Sequence, residues 1–67
     1  MKDGEMANVD VTVLLSETEA WDLAQFLKRV GFEQFYVNAQ DTDEAYRMMF
    51  AAEKVRKALA EVGFAPR

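Results

Sequence analysis

The first regular pattern along the chain is an alternation of apolar and polar residues in the stretch NVDVTVLL, residues 8–15. Side chains two residues apart lie on the same face of a β-strand, and β-branched residues favour strands. The pattern therefore predicts an N-terminal strand whose buried face carries Val9, Val11, Val13 and Leu15. A single strand has unpaired edges, so it would pair with another part of the chain or with a second copy.

The next stretch has the spacing of an amphipathic helix. Ser16 is followed three residues later by Glu19, which is the pattern of a capping box, so a helix is expected to begin at Glu17. At 100° per residue one face of this helix is apolar, and the helix is expected to run to Val30. The residues of that face are Ala20, Leu23, Ala24, Leu27 and Val30.

A second, longer helix is predicted over residues 42–62. Asp41 is the expected N-cap, with Glu44 completing a capping box, and acidic residues in the first turn suit the helix dipole. Tyr46 and Phe50, four residues apart, form an additional apolar strip on another side. The main apolar stripe comprises Ala45, Met48, Ala52, Val55, Leu59 and Val62.

The hexapeptides LKRVGF, residues 27–32, and LAEVGF, residues 59–64, are nearly the same. Each places a glycine after a predicted helix and a phenylalanine after the glycine. Glycine adopts the left-handed conformation that closes a Schellman motif, and the next residue packs back on the helix. We therefore predict one C-capping device, used at Gly31 and again at Gly63. An internal duplication is the alternative, although the flanking sequences do not match.

The segment FEQFYVNAQ between the two helices fits either a short helix or a strand, and a short helix is the preferred interpretation. The sequence as a whole predicts an α+β fold: one N-terminal strand, two capped helices and a short helical or strand-like segment between them. Residues 1–7 are expected to be a flexible tail and residues 8–67 a single compact domain. The expected centre of the core is Leu23, Leu27, Met48, Ala52, Val55 and Leu59.

Composition argues against an enzyme. The chain contains no histidine and no cysteine, so the usual general base and the thiolate nucleophile are both missing. The single serine, Ser16, is explained as a helix cap. The acidic residues near position 41 lack the spacing of a calcium loop, and each glycine stands alone, so neither a metal site nor a phosphate-binding loop is predicted. No cofactor is expected.

The charge is unevenly distributed. The net charge is −4, but residues 1–46 hold ten acidic and three basic side chains, whereas residues 47–67 hold two acidic and five basic ones. An acidic balance argues against direct binding to nucleic acid. No apolar run is long enough for a membrane span, and no signal peptide is recognised. We expect a cytoplasmic protein that does not bind membranes.

Several surface residues are candidates for binding a protein partner. Acidic residues near the helix starts could occupy a basic groove that normally holds nucleic acid, although capping and solubility also explain them. Trp21, off the main stripe, is either an interface anchor or a lid on the core. A basic patch of Arg47, Lys54, Arg56 and Lys57 is the weakest candidate. The acidic candidates are Glu17, Glu19, Asp22, Glu33, Asp41, Asp43 and Glu44.

Three stretches carry a resemblance to known proteins: the V-T-V strand, AQFLKRVGF at residues 24–32 and DEAYRMMFAAEKVRKALAEVGFAPR at residues 43–67. Through them the chain resembles short proteins from phages and mobile elements of proteobacteria. Small acidic proteins of that origin include anti-CRISPR inhibitors, which block effector complexes. The resemblance implies a non-enzymatic inhibitor of a type I CRISPR effector complex, acting in the host cytoplasm through its acidic surface. The alternative is an adaptor that uses Trp21 and the Tyr46/Phe50 strip, as a monomer or a homodimer.

Overall fold

Three helices and no strand make up residues 7–67, the part of the chain that the computed structural model describes. Helix α1 spans Glu17–Arg29, α2 spans Phe32–Val37 and α3 spans Thr42–Glu61. Helix α3 packs against both of the other helices. The fold is therefore all-helical, and the predicted α+β class with an N-terminal strand is wrong.

The predicted strand fails because residues 8–15 find no partner for pairing among the described residues. Their alternation nevertheless has a physical role. Val11, Val13 and Leu15 line a groove of about 370 Å³ together with Leu23 of α1 and Leu59 of α3. A period of two thus places alternate side chains toward the helices without a sheet. Of the predicted tail, residues 1–6 lie outside the described residues, and Ala7 is exposed without regular secondary structure.

The starts of both long helices are capped as predicted. The Ser16 hydroxyl accepts a hydrogen bond from the Glu19 backbone N–H at 3.1 Å, and the Glu19 carboxylate accepts one from the Ser16 N–H at 2.9 Å. At α3, Asp41 accepts from the Glu44 N–H at 2.8 Å. The Glu44 carboxylate, however, accepts from the Gln40 N–H and not from Asp41, so the second capping box is only half formed.

The two similar hexapeptides end their helices differently. At Gly63 the predicted Schellman motif is confirmed: φ is +105°, the Phe64 N–H donates to the Leu59 carbonyl at 2.9 Å, and the Gly63 N–H donates to the Ala60 carbonyl at 3.0 Å. At Gly31 the prediction is wrong, because φ is −103° and the residue is the N-cap of α2. Its N–H donates to the side chain of Gln34 at 2.7 Å.

The core is small and consists mainly of alanine. Ala20 and Ala24 of α1 pack with Leu59 of α3, and Ala45 is buried near the start of α3. Alanine side chains let the two helices approach closely but supply little apolar area each. The predicted core is confirmed for Leu59 and, as half-buried residues, for Leu23, Leu27, Met48 and Ala52.

Val55 was predicted at the centre of the core but is 45% exposed. It lines the groove beneath residues 11–15 and is therefore only partly covered. Val62, the C-cap of α3, is 70% exposed although it belongs to the predicted apolar stripe. Val55 thus borders the contact between α1 and α3, whereas Val62 lies where α3 ends and the apolar stripe has no further helix to cover it.

Candidate functional site

Four aromatic side chains form a continuous row across α2 and α3. The row, which we call the aromatic surface, consists of Phe32, Tyr36, Tyr46 and Phe50. The ring centroids of Phe32 and Tyr46 are 4.8 Å apart, and those of Phe32 and Tyr36 and of Tyr46 and Phe50 are each 6.2 Å apart. These separations are typical of interacting aromatic rings.

The local sequence places these rings on one side of the molecule. Phe32 and Tyr36 are four residues apart on α2, and Tyr46 and Phe50 are four residues apart on α3, so each pair lies along one helix face. The packing of α2 on α3 joins the two pairs. Segment 32–37 thus covers part of the Tyr46/Phe50 strip, as expected for a short helix.

This cover is incomplete. Phe32 is half-buried, but Tyr36 is 52%, Tyr46 45% and Phe50 57% exposed. Isolated exposed apolar side chains are ordinary on a soluble protein, whereas a connected group of aromatic rings is typical of an interaction surface. The aromatic surface is therefore the strongest candidate site of the described residues.

The basic residues of α3 do not form one patch. Lys54 follows Phe50 by one turn and Lys57 by two, so both lie near Phe50 on α3, and Lys54 also lines the groove formed with residues 11–15. Arg56 lies about 160° around the helix from Lys54 and donates to the Glu53 carboxylate at 3.0 Å. That ion pair is solvent-exposed and contributes little to stability.

The seven acidic candidates fall into two groups. Glu17, Glu19 and Asp22 lie on the first part of α1, where Ala20 and Ala24 pack near Leu59, late in α3. The other group lies at the start of α2 and the start of α3. The two groups are not wholly separate, because Asp22 lines one cleft together with Gln34, the neighbour of Glu33. The members of the second group are Glu33, Asp41, Asp43 and Glu44.

Three of these acidic residues have local structural roles. Glu19, Asp41 and Glu44 accept hydrogen bonds from backbone N–H groups at helix starts. The remaining four form no ion pair or hydrogen bond among residues 7–67, and all four are exposed. These four are Glu17, Asp22, Glu33 and Asp43.

Trp21 packs against the turn after α3, whereas the aromatic surface lies on α2 and the first half of α3. Its ring meets the ring of Phe64 edge to face, with centroids 5.0 Å apart and an interplanar angle of 71°. Trp21 is 41% exposed, and Phe64 in turn packs against the core cluster around Leu59. The tryptophan therefore covers the C-terminal turn, and it does not join the Tyr46/Phe50 strip as one surface.

A shallow cleft separates α1 from α2. Its volume is about 670 Å³, and it is open to solvent. Asp22, Phe26 and Arg29 line it from α1, and Gln34 lines it from α2. Phe26 is 58% exposed there, although it lies at the margin of the apolar face. The cleft combines single polar groups of different kinds and lacks a paired nucleophile and base.

The acidic residues at the described helix starts do not form a metal site. Within residues 7–67 no group of three or more metal-ligating side chains lies close enough to hold an ion. The hydroxyl of Ser16 is occupied by the backbone N–H of Glu19.

The sequence indicated the Tyr46/Phe50 strip as a candidate surface, but Phe32 and Tyr36 were not among the predicted partner-binding residues. The signal was present, because Phe32 and Tyr36 have the same spacing of four residues. What the spacing does not fix is the side of α3 on which the short helix lies. That side depends on the turn of residues 38–41, where the Asn38 side chain donates to the Gln34 carbonyl at 2.7 Å.

No helix among the described residues is both long and apolar enough to cross a membrane.

Comparison with known proteins gives one match, to a protein family. No curated protein and no solved structure matches the chain. One family model matches it from residue 1 to residue 67. The chain therefore belongs to the family described as "Family of unknown function (DUF7706)".

Proposed function

We propose that this chain is a non-enzymatic adaptor that binds a protein partner through the aromatic surface. The observation that carries the proposal is the continuous row of four rings, three of which are about half exposed. Aromatic residues dominate the energetics of protein interfaces because each buries about 150–250 Å² and loses few rotamers on binding.

The surroundings of the row suggest the chemistry of the partner. Lys54 and Lys57 extend along α3 beyond Phe50, and neither forms an ion pair with another described residue. A partner that offers an apolar segment bordered by acidic side chains would therefore complement this side of α3. Burial of the rings would supply most of the affinity, and the lysines would orient the partner.

The test compares the wild-type chain with one test variant and one control variant in a pull-down from a bacterial lysate that contains an active CRISPR system. The double variant Tyr46→Ala/Phe50→Ala removes two exposed rings. The control variant Val37→Ala truncates an exposed apolar residue outside the row. Proteins bound to the wild-type chain are identified by mass spectrometry and then followed through each variant at about 0.1 M and 1 M salt, where the screening length falls from about 10 to 3 Å.

The proposal predicts a partner that survives 1 M salt, is retained by the control and is lost with the double variant. Circular dichroism must show that the double variant keeps its helices. A partner that binds the double variant as well as the wild type refutes the proposal.

A second candidate function is the acidic inhibitor of a CRISPR effector complex. The observation that favours it is the set of four exposed acidic side chains that cap no helix and form no ion pair among residues 7–67. Because these four side chains are distributed over all three helices, such an inhibitor would contact a basic groove through more than one helix start.

This second candidate has its own variant. Neutralising the four acids that are not caps leaves both helix starts intact and raises the net charge from −4 to 0. The acidic inhibitor predicts that this variant loses the effector complex and that 1 M salt removes it from the wild type. An effector complex retained by this variant refutes it. The variant is Glu17→Gln/Asp22→Asn/Glu33→Gln/Asp43→Asn.

A further inference from the structure

Residues 8–15 carry the three most exposed large apolar side chains of the described residues, those of Leu14, Val9 and Val11. Val9 is 82%, Val11 77%, Val13 65% and Leu14 98% exposed. No backbone hydrogen bond joins residues 7–15 to any other described residue. A β-branched segment with free backbone donors and acceptors is a template for strand pairing.

The exposed area is larger than a monomer of this size needs. The chain exposes 5772 Å². An unfolded stretch with the mass of residues 1–6 would expose about 1,000 Å², which is an upper limit for their share of this area. Subtracting that limit leaves about 4,800 Å² for residues 7–67. A folded monomer of about 6.9 kDa is expected to expose about 4,000 Å², so the excess is roughly 800 Å². An excess of this size matches the area that one partner buries in a dimer of standard size, about 800 Å².

The segment is also complementary to itself. In an antiparallel pair centred on Thr12, Val11 faces Val13 of the second copy and Val9 faces Leu15. Val9, Val11, Val13 and Leu15 of both copies then lie on the same face of the pair. On the other face the two Thr12 side chains meet, and Asp10 faces Leu14. A register centred on Asp10 would instead place two carboxylates opposite each other.

We propose that residues 8–15 of two copies pair antiparallel about Thr12 and make the protein a homodimer. The pairing is symmetric and closed, so it ends at two chains. It satisfies backbone groups of both segments, while Val11, Val13 and Leu15 of each segment line the groove of their own copy. This interface is separate from the aromatic surface and does not depend on the proposed adaptor function.

The test uses single-cysteine variants of the full chain, since the natural sequence contains no cysteine. In the proposed register the two Cβ atoms at position 12 are about 5 Å apart, close to the range of a disulfide. At position 14 the two copies are about 14 Å apart, because they are offset by four residues along neighbouring strands. Thr12→Cys is therefore expected to form a disulfide-linked dimer on mild oxidation at least about ten times faster than Leu14→Cys, whose geometry forbids the bond.

Sedimentation equilibrium of the wild-type chain supplies the second measurement. The proposal predicts a species of twice 7.6 kDa. A monomer over a wide range of protein concentrations overturns it, as does equal cross-linking of the two cysteine variants. A third result also overturns the proposal: the double variant Tyr46→Ala/Phe50→Ala dissociates the dimer, and position 12 is not cross-linked in preference to position 14. The dimer contact would then lie on the aromatic surface. Loss of partner binding in that double variant with unchanged cross-linking at position 12 leaves the dimer intact and concerns only the adaptor function.

Discussion

The two glycines of the similar hexapeptides allow a matched test of the fold. The variants are Gly63→Ala and Gly31→Ala. Both change glycine to alanine between valine and phenylalanine, so the local sequence predicts equal effects. The structure predicts different effects, because only Gly63 has a positive φ, +105°, while Gly31 has φ −103°.

The expected magnitudes follow from these conformations. At Gly63 a Cβ meets no atom within 4 Å, so the cost is backbone strain alone, about 1–2 kcal/mol for an L-residue in the left-handed region. At Gly31 an alanine reduces the entropy of the unfolded chain, which favours folding by about 0.4–1 kcal/mol. Alanine is also a poorer N-cap than glycine, so the two contributions nearly cancel. The new Cβ lies 3.3 Å from the Gln34 side-chain oxygen, which is free to shift slightly.

Thermal unfolding followed by far-UV circular dichroism, at one protein concentration, measures both variants. For a domain of this size 1 kcal/mol corresponds to about 4–8 °C in Tm. Gly63→Ala is expected to lower Tm by roughly 5–15 °C, and Gly31→Ala to change it by only about 4 °C in either direction. Equal losses would show that both glycines adopt the left-handed cap that the sequence suggests, and the reasoning from φ would then be refuted.

Three further substitutions, the first with a control, test the helix cap and the packing. Ser16→Ala should cost about 1 kcal/mol in urea unfolding through loss of the N-cap, whereas the control Thr18→Ala, an exposed change two residues later, should cost less than about 0.5 kcal/mol. Ala24→Leu overpacks the contact between α1 and α3, because Ala24 is fully buried, and should cost about 1–3 kcal/mol in the same assay. Phe64→Ala should shift the fluorescence emission of Trp21, the single tryptophan, to longer wavelength and cost about 1–3 kcal/mol, since Phe64 is only half-buried.

Each of these has a contrary outcome. Equal losses for Ser16→Ala and Thr18→Ala would argue against the capping box. A neutral Ala24→Leu would mean that α1 and α3 are not in close contact. An unchanged emission maximum in Phe64→Ala would separate the tryptophan from the C-terminal turn.

The helices were predictable because their signals are local. The cap at Ser16 and the apolar spacing of α1 depend on residues within a few turns, and both are confirmed. The class of the fold was not predictable in the same way. The alternation of residues 8–15 specifies which side chains share a face, but a strand also requires a pairing partner, and no local signal states whether one exists.

The same distinction explains the two glycines and the candidate site. A Schellman motif needs room for the chain to turn back, and at Gly31 the next helix begins at once, with Gln34 bonded to the glycine N–H. Likewise, the spacing of Tyr46 and Phe50 predicted an apolar strip, but its extension through Phe32 depends on how α2 lies on α3.

Helix α3 is the element that connects the rest of the described structure. Both α1 and α2 pack on it, yet no Cα atom of α1 lies within 8 Å of a Cα atom of α2. The described helices therefore form two packing units, α1 with α3 and α2 with α3, which are joined by α3 itself and by the short link of Val30 and Gly31. Losses of free energy from substitutions in the two units should add, since additivity holds for distant sites without shared partners. One unit can open while the other keeps its structure, so amide hydrogens at the two ends of α3 should exchange with solvent independently.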